Sequence, residues 1–242
     1  MAENSPSAYT EGLPCWADAQ LADVEAGKWF YGALFGWTFD EQPVVPGGPA
    51  VARLGGEPVA ALARKADGRM PTVWTVYLAT PDAADLARRI RAAGGTVITE
   101  PVPVAGGIAA LAADPEGAVF GLWQPAGHPG FGRRHEPGAF AWAQLYTRDA
   151  AAADAFYGGL FHDTLLGPGA RPDLGRALVT DAFAPEMPPH FVVHFLVEDC
   201  AAALGTVTRL GGRVRVPPFE TSYGIAAVVA DNQGASFALL QR

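Results

Sequence analysis

The chain is written twice, and that narrows its fold before any residue is given a role. Residues 14–37, PCWADAQLADVEAGKWFYGALFGW, align with residues 140–163, FAWAQLYTRDAAAADAFYGGLFHD. Trp16 falls on Trp142, Asp23 on Asp149, Tyr31 on Tyr157 and Phe35 on Phe161, at an offset of 126 (142 − 16). Further along, VWTVYLATPDAADLARRIRAAGGTV (73–97) aligns with HFVVHFLVEDCAAALGTVTRLGGRV (190–214), and ADPEGAVFGLWQ (113–124) with ADNQGASFALLQ (230–241). The offset there is 117 (211 − 94), so the second copy is nine residues shorter (126 − 117). The trimming is expected within 163–189, which leaves the first half with the longer hairpins.

Each half also repeats weakly within itself. An apolar strand ends at an Asp, an alanine-rich helix follows, then Gly, then short strands. Asp23, Asp82, Asp149 and Asp199 are expected as helix N-caps, because a short carboxylate satisfies the first free backbone N–H groups. Gly94-Gly95 and Gly211-Gly212 are expected to end helices in the left-handed conformation. The fold class is therefore α+β: four tandem βαβββ modules, two per half, in curved mixed sheets around clefts. Expected domains are 10–124 and 139–242, and the Pro-, Gly- and charge-rich run PAGHPGFGRRHEPG (125–138) is read as a linker.

Composition removes several function classes. With 242 residues and 50% hydrophobic content, the chain is long enough for a substantial core. A net charge of −8 disfavours nucleic-acid binding, and the basic clusters Arg88-Arg89-Ile90-Arg91 and Arg133-Arg134 are too short for a phosphate groove. No apolar run is long enough for a membrane span, and the first residues lack the basic and apolar regions of a secretory signal. Cys15 and Cys200 are far apart and are read as reduced thiols, which points to the cytoplasm.

Strand alternation separates two faces. Cys15, Ala17, Ala19 and Leu21 face the helix; Trp16, Asp18 and Gln20 face the other way. Ala141, Ala143 and Leu145 likewise oppose Trp142, Gln144 and Tyr146. In the strand 73–79, Trp74, Val76 and Leu78 oppose Thr75 and Tyr77. In 191–197, Phe191, Val193 and Phe195 oppose Val192, His194 and Leu196. On the closing strands Gly121, Trp123, Ala238 and Leu240 fall on the inner face. An inner face that carries Trp, Asp, Gln, Tyr and His is costly to bury without water or ligand. The candidate ligand-binding residues are therefore Trp16, Asp18, Gln20, Thr75, Tyr77, Trp142, Gln144, Tyr146 and His194. Asp18, His194 and Tyr146 are the candidates for acid–base work. His128 and His135 lie in the linker, which leaves His194 as the histidine of the inner face.

The tandem modules, the D-x(6)-FY-x-x-LFGW run from Asp23 to Trp37 and the closing DPEG-x(6)-Q run from Asp114 to Gln124 resemble the vicinal oxygen chelate superfamily. That superfamily includes glyoxalase I, bleomycin-resistance proteins and extradiol dioxygenases. The chain is most similar to its two-domain, glyoxalase-like members from high-GC, actinobacterial sources, often labelled hydroxylases. Metal-dependent members place His or Gln seven residues before the capping Asp and Glu seven residues after the Asp of the DP-x-G turn. By that resemblance the ligand positions here are Trp16, Thr75, Gly121, Trp142, Val192 and Ala238. None of these side chains suits a divalent cation, so no metal and no cofactor is expected. Two readings stay open. One is a metal-free protein that binds or sequesters an aromatic or apolar secondary metabolite, as monomer or homodimer. The other is a cofactor-free isomerase, cyclase or hydratase using Asp18, His194 or Tyr146. A metal-dependent lyase or dioxygenase is disfavoured by the missing ligands, and a cleft filled by its own side chains would point to a scaffold.

Overall fold

The computed structural model describes residues 9–40, 48–69, 71–162, 165, 173–179 and 188–242. The first module runs β1 (Pro14–Leu21), α1 (Val24–Phe35), β2 (Thr38–Phe39), β3 (Ala50–Leu54) and β4 (Glu57–Arg64). The second runs β5 (Val73–Ala79), α2 (Ala83–Ala92), β6 (Thr96–Val104), β7 (Gly107–Ala113) and β8 (Val119–Pro125). In the third, β9 (Phe140–Thr147) and α3 (Ala150–Phe161) lead to β10 (Leu174–Leu178). The fourth is β11 (His190–Leu196), α4 (Cys200–Arg209), β12 (Arg213–Thr221), β13 (Gly224–Ala230) and β14 (Ser236–Gln241). The strands make two open mixed sheets, in the orders β2-β3-β4-β1-β5-β8-β7-β6 and β10-β9-β11-β14-β13-β12. Within a module the first strand pairs parallel with the last: β1 with β4, β5 with β8, β9 with β10 and β11 with β14. Much of the expected trimming, at 163–164, 166–172 and 180–187, lies outside the described residues.

The helix starts follow from the four aspartates. Asp23 accepts from Ala26 N, Asp82 from Ala84 N and Asp85 N, Asp149 from Ala151 N and Ala152 N, and Asp199 from Ala202 N. Gly94 and Gly211 take φ of 88° and 83° just beyond α2 and α4. The next glycine serves close approach: a Cβ on Gly95 would lie 2.8 Å from Ala113 O, and one on Gly212 2.6 Å from Ala230 O.

The chain resolves into two compact units, and each draws on both halves of the sequence. The first comprises 1–16, 76–130 and 143–191; the second comprises 17–75, 131–142 and 192–242. In the first unit α2 packs against α3, and in the second α1 packs against α4. The helix-side core of the second unit joins Tyr31, Phe35, Trp37 and Trp74 to Phe195 and Phe237, with ring centroids 5.0–6.3 Å apart. That of the first joins Phe120 to Tyr157 and Phe191.

One buried hydrogen bond recurs. In the second unit Tyr31 Oη donates to Asp231 Oδ2 at 2.8 Å, and in the first Tyr157 Oη donates to Asp114 Oδ2 at 3.1 Å. The other oxygen of each carboxylate holds its turn, Asp231 through Gln233 N and Ala235 N and Asp114 through Glu116 N and Ala118 N. Burial first, then the adjacent carboxylate, raises both tyrosine hydroxyls well above the usual phenol range. The Tyr of the FY run and the Asp of the D-x-x-G turn are thus one device that ties a module to its partner from the opposite half.

Candidate functional site

In the first unit, Trp16 ends its share of β1, Tyr77 lies on β5, and Gly121 and Trp123 lie on β8. His128 comes from the connector. Trp16 meets His128 edge to face at 4.4 Å, and Trp123 meets the same imidazole at 5.7 Å. Trp123 Nε1 donates to His128 O at 2.9 Å, while His128 N and Ala126 N both donate to Gly106 O. The connector is therefore laid onto the β6–β7 turn rather than left loose. Glycines make room for these rings. A Cβ on Gly121 would lie 2.1 Å from the Tyr77 ring, one on Gly107 2.9 Å from Trp123, and one on Gly106 2.5 Å from His128 Cβ. Trp16, Tyr77 and Trp123 are all at most 8% exposed, so this cluster is packed shut.

Also in the first unit, Tyr146 stacks on His190 at 5.4 Å with an interplanar angle of 22°, and burial raises the Tyr146 hydroxyl above its ordinary range. Gln144 is buried and its Nε2 donates to Leu145 O at 3.4 Å.

In the second unit, Asp18 accepts from Gln20 Nε2 at 3.2 Å, and both Asp18 and Thr75 are buried. Trp142 is half-buried and lies 5.4 Å from the buried His194, at 67°. Its other neighbour is Tyr223, at 4.7 Å and 50°, whose side is 45% exposed. His194 Nδ1 lies 3.2 Å from Val192 O. Burial lowers the His194 pKa to about 4, so the ring is neutral near neutral pH. Leu196 and Leu240, expected on the inner face, are buried in a small apolar cluster with Ala141 and Ala226.

The two ring clusters occupy repeat-related positions. Trp16 corresponds to Trp142 at the 126 offset, while Tyr77 corresponds to His194, Gly106 to Tyr223, Gly121 to Ala238 and Trp123 to Leu240 at the 117 offset. Alternation puts Trp142 and His194 on the same face, and the structure brings their rings together. Alternation missed His128, which a Pro- and Gly-rich run disguises as linker, and Tyr223, which sits in a turn beyond the reach of strand periodicity. The replacement of Gly106 by Tyr223 in the repeat alignment is the signal that finds the latter.

The residues do not fit a divalent cation of the kind the resembled superfamily uses. At Gly121 a carboxylate side chain would meet the Tyr77 ring. Ala238 sits beside His194 in the β11–β14 register and adds no donor to that imidazole. Among the described residues, no three His, Cys, Asp or Glu side chains group as a metal site. No described helix is long and apolar enough to cross a membrane.

The family described as Glyoxalase-like domain matches residues 17–123. The chain is 36% identical over 253 residues to CFP32 of Mycobacterium tuberculosis (strain CDC 1551 / Oshkosh), which carries the name glyoxylase; the match covers 97% of each protein. It is 34% identical over 266 residues to the anthracycline biosynthesis protein DauV of Streptomyces sp. (strain C5), covering 96% of this chain and 94% of that one. Among solved structures it resembles the Mn(II)-bound glyoxalase from Novosphingobium aromaticivorans, with a TM-score of 0.63 at 16% identity over 96% of this chain and 83% of the other. At that identity the likeness is one of fold.

Proposed function

The chain belongs to the glyoxalase-like proteins of the vicinal oxygen chelate superfamily, and we propose that it binds a planar, largely apolar secondary metabolite without using a metal. The observation that carries this is the accessible aromatic wall in the second unit. Trp142 and Tyr223 present ring surface beside a buried, neutral His194, whereas the repeat-related cluster around Trp16 is packed shut. Aromatic walls with one fixed polar group are what small-molecule sites are built from, and each ring contact adds about 0.5–1.5 kcal/mol beyond burial. The kinship with an anthracycline biosynthesis protein supports a polycyclic aromatic ligand. Asp18, Gln20 and Thr75, on β1 and β5, and Gln144 and Tyr146, in the first unit, are not assigned to this wall, and Trp16 and Tyr77 serve packing more than contact. The buried free thiols of Cys15 and Cys200 agree with a cytoplasmic setting.

Binding is favoured over turnover because a His194 held near pKa 4 is a poor proton acceptor at neutral pH. The test is titration of an anthraquinone, followed by tryptophan fluorescence and calorimetry. Trp142→Ala and Tyr223→Ala are expected to weaken binding by about tenfold each. Unchanged affinity in both variants would move the site elsewhere.

A further inference from the structure

We infer that the second unit's ring cluster selects ligands that donate a hydrogen bond, a neutral phenol or enol hydroxyl, to Nε2 of His194; this rests on Trp142, Tyr223 and His194 forming the binding site proposed above. The argument begins at the other ring nitrogen. His194 Nδ1 lies 3.2 Å from Val192 O. A backbone carbonyl only accepts, so Nδ1 carries the proton of the neutral ring. Nε2 is then a bare lone pair that can accept and cannot donate. Among the described residues the ring's one hydrogen-bond contact is that of Nδ1 with Val192 O, so the Nε2 lone pair is available to a ligand donor.

The surroundings define the rest of the ligand. Trp142 and Tyr223 offer ring faces and edges, which suit a planar aromatic body. The repeat-related ligand positions Trp142, Val192 and Ala238 bring no cation to balance an anion. A phenolate, a carboxylate or an ether oxygen would set one lone pair against another at Nε2. A neutral hydroxyl on the aromatic body satisfies Nε2 and keeps the rings in contact. The Tyr77 found at the equivalent position of the first unit does not share this chemistry, because a phenol can itself donate.

Naphthol and its methyl ether separate the possibilities. Both are titrated near neutral pH against the full chain, Trp142→Ala, His194→Phe and His194→Gln. Naphthol is expected to bind the wild type about tenfold more tightly than the ether. His194→Phe should abolish that preference, and His194→Gln, whose carbonyl still accepts, should restore part of it. Nitrogen NMR of imidazole-labelled wild-type protein supplies a readout that needs no variant to fold: the Nε2 signal should move with naphthol and stay with the ether. Equal affinities for the two probes, both weakened by Trp142→Ala, overturn the donor requirement and leave the binding site standing. Binding of neither probe, or binding indifferent to Trp142→Ala, overturns both.

Discussion

On their helix sides the two units are nearly copies; on their inner faces they are not. Tyr31 with Asp231 and Tyr157 with Asp114 make the same buried bond, and each carboxylate holds the same turn. The inner clusters start from the same tryptophan, Trp16 or Trp142, and then diverge. Around Trp16, three glycines admit Tyr77, Trp123 and His128, and the rings close over one another. Around Trp142, His194 and Leu240 take the places of Tyr77 and Trp123, Tyr223 takes that of Gly106, and ring surface stays accessible. The helix side thus carries the upkeep of the fold in both units, while the inner-face cluster is closed packing in the first and leaves ring surface accessible in the second.

The largest way to break this contrast is to remove the tryptophans. Trp16→Ala is expected to cost about 3–5 kcal/mol, because a fully packed ring leaves a cavity. Trp142→Ala should cost only about 1–2 kcal/mol, because part of its ring is already solvated. Urea denaturation of the two variants checks this, and equal losses would erase the distinction between a closed and an accessible cluster.

Acid gives the next effect. The pKa of His194 falls from 6.5 to about 4 on folding, so the unfolded chain binds the proton more readily. The contribution is therefore intact above pH 6.5, is lost progressively as pH falls toward about 4, and changes no further below that. Its full size is at most about 3 kcal/mol. Stability measured against pH in wild type and His194→Phe should differ in slope within that window; parallel curves would mean that His194 is not desolvated.

Gly121→Ala places a methyl against the Tyr77 ring and is expected to cost about 1–3 kcal/mol. Adding Tyr77→Ala should recover part of that loss, and a thermal-unfolding cycle of the four proteins measures the coupling. The reverse change on the other side, Ala238→Gly, should cost about 1 kcal/mol or less.

The smallest effect sharpens the likeness of the helix sides. Tyr31 also accepts from Trp74 Nε1 at 2.9 Å, whereas the residue equivalent to Trp74 in the first unit is Phe191. Tyr31→Phe therefore strands two buried groups and Tyr157→Phe only one. The expected losses are about 2 and about 1 kcal/mol, and a larger loss for Tyr157→Phe would contradict the bonding described.

The module order, the four Asp caps, the helix-ending glycines and the helix-facing rings were all legible in the sequence. Each depends on local chemistry or on period-two alternation, and the repeat supplied every signal twice. The candidate site was legible only along single strands. Alternation placed Trp142 and His194 on one face, but could not show that Trp16 and Tyr77 are enclosed while Trp142 is not. That difference comes from His128 and Tyr223, which lie in a connector and a turn where no periodicity operates.

Residue order alone determined the strand–helix openings of the four modules, because caps, turns and alternation act within a few residues of one another. It also fixed the side chains at the six aligned positions, Trp16, Thr75, Gly121, Trp142, Val192 and Ala238, none of which is a good donor to a divalent cation. Which modules share a core was decided by tertiary structure: Tyr31 finds Asp231 and Tyr157 finds Asp114, partners 200 and 43 residues away. Tertiary structure likewise decided which inner face closes. Space above a strand depends on what packs over it, and at Gly121, Gly107 and Gly106 the missing Cβ atoms leave room that only the folded chain can fill.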